Sequence, residues 1–289
     1  MYNSEVKKLI WAIVALILIT IFAAGCVDDP PPVGDDQPSD NETAELPFET
    51  VTENGKTYTY LGSAYSEFVG VDLNRVLSNL YDDGMLTGQD EVYNYAGTEY
   101  LRVQVTDDTA GRSLGGMTLT EGQSCFFKKA PLKFRLVNET DTEAMLIPAV
   151  IYEYRYFNLP NSGAGIGYDY DNSSLKTYLE GDFLTNTFSE EERSNIISIR
   201  LMTLSEAKSY VDVYSDDPVQ FYAAAASELL VAAEPDINSG EALGNTASWW
   251  LDSAGKEGNC GVVDRFGTLT DVTVYSEQGL RPLITFKKV

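Results

Sequence analysis

The sequence predicts an α+β fold of mixed or antiparallel strands joined by several short, capped helices. Three observations carry that reading. Alternating and apolar runs fill residues 48–152, helix-start signatures crowd residues 173–206, and strand patterns return after residue 249. Strands, then helices, then strands in one chain is the order of an α+β domain rather than of repeated βαβ units.

Taken in order, Lys56-Thr-Tyr-Thr-Tyr-Leu61 alternates Tyr with Thr, as a half-buried strand does. Val71, Leu73, Val76, Leu77 and Leu80 recur at helical spacing, and Asp82-Asp83-Gly84 ends that helix. Tyr93 to Val105 reads as a hairpin turning at Ala96-Gly97, followed by a polar loop over 107–116. Cys125-Phe-Phe leads into the alternating run Leu132–Val137, and Ala144–Tyr152 is an apolar, central strand. Residues 153–170 are irregular and rich in Tyr, Asn and Gly. Ser173 or Ser174 caps a helix over Leu175–Leu179. Ser189-Glu-Glu-Glu192 and Thr203-Leu-Ser-Glu206 are capping boxes, the first with Ile196, Ile197 and Ile199 near the buried side of its helix. Ala-rich Phe221–Ala233, stopped by Pro235, predicts a fourth helix. Strands follow at Gly261–Asp264, Asp271–Tyr275 and Arg281–Phe286, with a turn at Arg265-Phe-Gly267.

Before this domain come two segments of different character. In residues 1–25, Lys7 and Lys8 precede the apolar run Leu9–Phe22, which has the length of a signal-peptide core rather than of a membrane span. The run ends in Ala23-Ala24-Gly25-Cys26, which resembles the lipobox of bacterial and archaeal lipoproteins and implies lipidation of Cys26. The alternative is an uncleaved anchor with an incidental cysteine, and both place the remainder outside the cytoplasm. Residues 26–47 combine Pro with Asp and Glu and lack apolar periodicity, the composition of an extended, self-repelling tether. Residues 48–289 are then one domain.

Composition narrows the chemistry. The formal net charge of −24 repels phosphate backbones and disfavours nucleic acid as a partner. The chain has no histidine, so the commonest general base and zinc ligand are both missing, and catalysis would fall to carboxylates, Tyr, Lys or Cys.

With these elements placed, the chain resembles a family of bacterial and archaeal extracytoplasmic domains of unknown function. Members carry Trp-Trp-Leu-Arg-Ser-Pro-Gly, an apolar strand with Asp-x-Asp-Gly, and Gly-Val-Arg-Pro-Ala-Leu. Here the matching stretches are Trp249-Trp250-Leu251-Asp252-Ser253-Ala254-Gly255, Val262-Val263-Asp264-Arg265-Phe266-Gly267 and Gly279-Leu280-Arg281-Pro282-Leu283. Ser173 to Glu180, with Phe183, Phe188 and Glu190–Glu192, is similar to the family's helical segment, and the likeness spans roughly residues 58–287. The end of that family is similar in turn to C-type-lectin-like and formylglycine-generating-enzyme-like folds, which implies a C-type-lectin-like closing sheet. Asp252 stands where the family has Arg and Ala254 where it has Pro, so a site built on that Arg is altered here.

Candidate sites follow. Trp249 and Trp250 face opposite sides of a strand, so one is expected in the core and the other partly exposed, available to a glycan or peptide. Arg281, among apolar residues, calls for an acidic partner, with Asp252 or Asp264 as the candidates. Asp169 and Asp171 alternate as calcium ligands do, without the Gly and distal Glu of an EF-hand. Tyr152, Tyr154, Tyr156, Tyr168 and Tyr170 form a cluster suited to a binding surface or to edge packing. Cys125 and Cys260 could pair outside the cytoplasm, closing a loop worth on the order of 4–5 kcal/mol, or remain as two free buried thiols. The expected function is a membrane-anchored, non-catalytic binding or surface-interaction module for a glycan or protein. The alternatives are a carboxylate- or Cys-dependent enzyme acting on cell-surface polymer and a structural envelope component.

Overall fold

The longest strand, β8, sets the geometry. The computed structural model describes residues 45–160, 168–212, 221, 223–238 and 244–289. The signal segment, Cys26 and nearly all of the tether lie outside these, and Thr43–Val289 form one compact unit.

In the first half of the domain, β1 (Val51–Glu53), β2 (Lys56–Phe68), β3 (Thr87–Gln89), β4 (Val92–Tyr95), β5 (Thr98–Gln104), the small β6 (Ser113–Leu114) and β7 (Met117–Thr118), β8 (Ser124–Glu139) and β9 (Glu143–Pro148) precede a short β10 (Tyr154–Tyr156). One edge of β8 pairs with β2, while the other pairs with β5 at its start and β9 at its end. The predicted hairpin is present: Tyr95 pairs with Thr98 across Ala96 and Gly97, whose φ values of 52° and 83° are those of a two-residue primed turn.

The only long helix of the described residues, α1 (Val71–Asp82), lies where it was predicted and packs through Leu73 and Leu77 as expected, but not through Val71 and Val76. Val71 and Val76 are exposed at 42% and 41%, while Asn74 and Leu77 are buried. Asn74 replaces the expected aliphatic contact with two hydrogen bonds to β8, donating to Ser124 O (3.0 Å) and accepting from Phe126 N (2.8 Å). A buried amide with both partners satisfied holds the helix without the desolvation cost of an orphan group.

The helical middle follows its local signals closely. Ser173 caps α2 (Ser174–Tyr178), which passes through a π turn at Leu179–Phe183 into α3 (Leu184–Thr187). Both capping boxes form, opening α4 (Glu190–Asn195) and α5 (Leu204–Tyr210). Two expectations are corrected. Ile196, Ile197 and Ile199 do not extend a helix. They lie in β11 (Ile196–Arg200), because β-branched residues after Asn195 pair antiparallel with the chain's last strand, β18 (Leu283–Lys287). The Ala-rich segment is helical only as α6 (Glu228–Ala233), which Ser227 caps. Before it, β12 (Ala224–Ala225) pairs with β13 (Thr246–Ala247), so backbone pairing overrides alanine's helix propensity.

After β13 come β14 (Trp249–Ala254), β15 (Cys260–Val263), β16 (Leu269–Val272) and β17 (Glu277–Gly279). They form a five-stranded sheet in the order β10-β17-β14-β15-β16, and β11-β18-β9-β8-β5-β4-β3 is the main path of the nine-stranded sheet. The α+β class is as predicted. Both sheets divide their side chains between the same two cores. Leu61, Phe134, Leu146, Trp250, Val262 and Ile284 enter one. Ile147, Trp249, Leu251, Val263 and Leu283 enter the other, beside Ala207 of α5 and Leu230 of α6. Each fully buried large side chain contributes roughly 1.5–3 kcal/mol. The second core covers the main sheet only near β9 and β18. Along the middle of β2 and β8 the described residues leave that face open, between this core and a third cluster around Phe68, Cys125 and Phe127, and a cleft lies at the boundary. Among the described residues no helix is long and apolar enough to cross a membrane.

Candidate functional site

The predicted signature residues are brought together, with different roles. Trp249 and Trp250 are both fully buried, one in each core, so neither offers an exposed platform. The strand does alternate its faces, but both faces of this sheet are covered. Trp250 Nε1 donates to Arg155 O at 2.8 Å, whereas Trp249 Nε1 has no hydrogen-bond partner among the described residues.

Arg281 pairs with neither candidate acid. Asp264 is spent on its own turn, accepting from Phe266 N (2.9 Å) and Thr268 N (2.8 Å). Asp252 accepts a hydrogen bond from the Tyr168 hydroxyl. Burial, and that carboxylate beside it, push the Tyr168 phenol well above its ordinary pKa. The tyrosine cluster is structural as well: Tyr152 OH accepts from Lys133 N, Tyr154 OH bonds the Ser248 hydroxyl, and Tyr170 OH accepts from Leu201 N.

Nor do the other two pairs make sites. Cys125 and Cys260 are free and buried in separate clusters, the first against Phe68 and Phe127, the second with Trp250. Of the two arrangements open from the sequence, the structure has the two free buried thiols. Burial pushes both thiols up to about 12, so neither is an available thiolate. Asp169 accepts from Asn172 and Asp171 pairs with Lys176 at 2.8 Å, which uses both proposed calcium ligands. Among the described residues no group of three or more His, Cys, Asp or Glu converges on a point where a metal ion could sit.

Arg281 instead lines a cleft of about 610 Å³ with Lys56, Tyr58, Arg135, Asp212 and the alanines 223–225. Lys56 and Tyr58 come from one face of β2, and Arg135 stands directly across from Tyr58 on β8. Asp212, just beyond α5, pairs with Lys56 and accepts from both Arg135 nitrogens, Nη1 at 3.3 Å and Nη2 at 3.4 Å. Burial acts to raise the Asp212 carboxyl, but the Lys56 hydrogen bond and the Arg135 charge outweigh it and hold the pKa below its usual value.

Arg281 is left over. It is 7% exposed, Nε donates to Pro148 O at a long 3.3 Å, and Nη1 has no hydrogen-bond partner among the described residues. The guanidinium carbon stands 5.2 Å from the Trp249 ring centroid, a cation–π contact. Burial and the nearby Arg135 lower its pKa to about 10, so it stays charged at neutral pH. Among the described residues that line the cleft, one carboxylate thus faces three cations, Arg281 being the most buried of them. The arrangement is suited to holding an anion: guanidinium forks match carboxylate and phosphate oxygens, and partial desolvation strengthens each bond.

Sequence reading named Arg281 but missed Lys56, Arg135 and Asp212. They lie far apart in the chain, Lys56 and Asp212 being 156 positions apart. The one available signal was that Lys56 occupies an outward position in a strand whose Tyr58 and Tyr60 also point outward.

No family model matches the chain, no curated protein matches it, and no solved structure matches its fold. The finer C-type-lectin-like arrangement therefore gains no support, and the α+β class stands on the strand and helix pattern alone.

Proposed function

We propose that this protein is a non-catalytic binding module held outside the cytoplasm by a lipidated Cys26, and that it takes a small anionic group into the Lys56–Arg135–Arg281 cleft. The observation that carries the reading is Arg281 Nη1, buried and without a hydrogen-bond partner among the described residues. An uncompensated buried charge costs several kcal/mol, and a carboxylate or phosphate oxygen at that position would offset the cost. The burial of both thiols and the lack of histidine favour binding over turnover. The signal-like segment and acidic tether support the location.

Isothermal calorimetry of the full chain in detergent, titrated with inorganic phosphate and with galacturonate, tests the cleft. Saturable binding by at least one of them, weakened tenfold or more in Arg135→Gln and unchanged in the exposed-site control Arg75→Gln, is expected. No heat from either anion, or equal binding by Arg135→Gln, would overturn it. Intact mass of membrane-extracted protein tests the anchor. Acyl chains on a chain beginning at Cys26 support it, and an unacylated chain retaining residues 1–25 refutes it.

A further inference from the structure

The open face beside the cleft carries a regular pattern. Along β2 and β8 the outward cross-strand pairs are Tyr58 with Arg135, Tyr60 with Lys133, Ser63 with Pro131 and Tyr65 with Lys129. Three of these four rungs set a tyrosine against a cation. Lys133 Nζ sits between two rings, 4.3 Å from the Tyr58 centroid and 5.8 Å from that of Tyr60, while Lys129 Nζ is 5.1 Å from Tyr65. Tyr60 is 51% exposed.

The register is maintained by an irregularity. Tyr60 and Tyr65 are five apart, an odd number that would put them on opposite faces of a regular strand. Gly62 is an extra residue in β2 with no partner in β8, and this bulge returns Tyr65 to the face of Tyr60. Its φ of +57° and the 2.7 Å approach that a Cβ there would make to Thr187 O restrict the position to glycine.

From Arg135 to Lys129 the strip runs about 20 Å, at the usual rise per strand residue. It begins at the cleft. The acids paired with its cations are Asp212, on Lys56 and Arg135, and Glu53, 2.5 Å from Lys133; Lys129 has a ring contact and no salt bridge among the described residues. Within a chain of net charge −24, this is a local basic and aromatic track.

We infer that the track binds an acidic glycan: a chain of sugar acids that places one carboxylate in the cleft and lays the following rings along Tyr60, Lys133, Tyr65 and Lys129. The inference rests on the anion reading of the cleft and adds the chemistry of the ligand. Sugar rings have apolar faces that stack on tyrosine and carboxylates that pair with Lys and Arg, and the alternation here supplies both in register. The β2 and β8 backbones beneath the track are hydrogen-bonded to each other, so an acidic peptide could not add as a strand between them. Nucleic acid would bring a far denser negative charge against the chain's own. Remote acids of this protein are screened over about 8 Å at physiological salt, so they do not cancel the local track.

The test compares galacturonate with polygalacturonate on the full chain in detergent, using wild type, the double variant Tyr60→Ala/Lys129→Ala, and Lys56→Met. Both positions of the double variant are exposed and leave the cleft intact. Wild type is expected to bind the polymer at least tenfold tighter per site than the monomer, with an affinity that falls as salt rises. The double variant should lose that polymer advantage and keep monomer affinity, and Lys56→Met should weaken both. Equal affinity for monomer and polymer, or a double variant that binds polymer like wild type, overturns the track and leaves the cleft standing. Polyglutamate binding as tightly as polygalacturonate overturns the glycan as occupant. If neither galacturonate nor phosphate binds wild type, the cleft reading has failed and takes the track with it.

Discussion

Arg112 and Arg281 are buried to the same extent, each 7% exposed, and their surroundings could hardly differ more. Arg112 Nη1 donates to Val231 O and Glu234 O, and its Nη2 donates to Pro235 O and Asp108 O. Three of those four carbonyls belong to the last turn of α6 and the residues just after it, where helix carbonyls lack intrahelical partners and the dipole favours a cation. That guanidinium is fully used by the fold. Arg281 has one long hydrogen bond and an aromatic ring. The comparison teaches that burial alone does not identify a binding arginine. The distinguishing feature is how many of its donors the fold itself has taken.

The largest expected effect tests this directly. Arg112→Met should cost about 3 kcal/mol, because it strands several buried carbonyls at once. Arg281→Met should fall within about 1 kcal/mol of wild type or be more stable, since an apolar side chain of similar length replaces an uncompensated charge. Urea unfolding with equal slopes for the three proteins gives both numbers. If Arg281→Met loses as much as Arg112→Met, its guanidinium is structural and the cleft loses its main support.

How much of this was legible beforehand depends on the reach of each interaction. The capping boxes at Ser189 and Thr203 and the turn at Ala96-Gly97 were readable because the partners lie within four residues. Ile196–Ile199 was misread because its strand state depends on β18, more than eighty residues later. Asn74 was invisible as a core residue, since only the carbonyl of Ser124 and the amide of Phe126 make its burial tolerable. The cleft shows the same limit. Arg281 stood out as a charge in an apolar strand, but the absence of its partner is a property of the whole fold.

A second fully used charge gives an intermediate effect. Arg200 holds Glu206 by two hydrogen bonds, of 2.8 and 2.5 Å, and Glu206 also accepts from Thr203 N at 2.9 Å. Chiefly through Arg200, the Glu206 pKa falls from 4.5 to about 2. A depressed carboxyl stabilises the fold above its unfolded pKa, and that contribution is lost as pH falls through the folded value. Stability should therefore decline between about pH 5 and pH 2, by about 1 kcal/mol after allowance for solvent screening. Glu206→Gln should flatten that part of the pH profile in denaturant titrations. An unchanged profile would mean the pair is weaker than its geometry.

The adjacent tryptophans repeat the arginine contrast on a smaller scale. Trp250→Phe removes the hydrogen bond from Nε1 to Arg155 O, whereas Trp249→Phe removes an N–H with no partner among the described residues. Both leave similar cavities, so Trp250→Phe should be the costlier by about 1 kcal/mol. The reverse order would show that Trp249 Nε1 finds a partner in solution, and a bound anion beside Arg281 would then be the first group to examine.

The smallest expected effect is none at all. Cys260 Sγ donates to Leu251 O at 3.1 Å and Cys125 is packed among phenylalanines, each without a sulfur partner. Reductant should leave the thermal midpoint unchanged, and iodoacetamide at pH 8 should label neither thiol until the chain unfolds, since both titrate near 12. A bridge across these positions would instead contribute about 5 kcal/mol by loop closure, and its reduction would lower the midpoint by many degrees. The two outcomes are too far apart to confuse. The thiols thus fall with Arg112 and Trp250, as groups whose surroundings leave them nothing to offer a ligand, and Arg281 remains the exception.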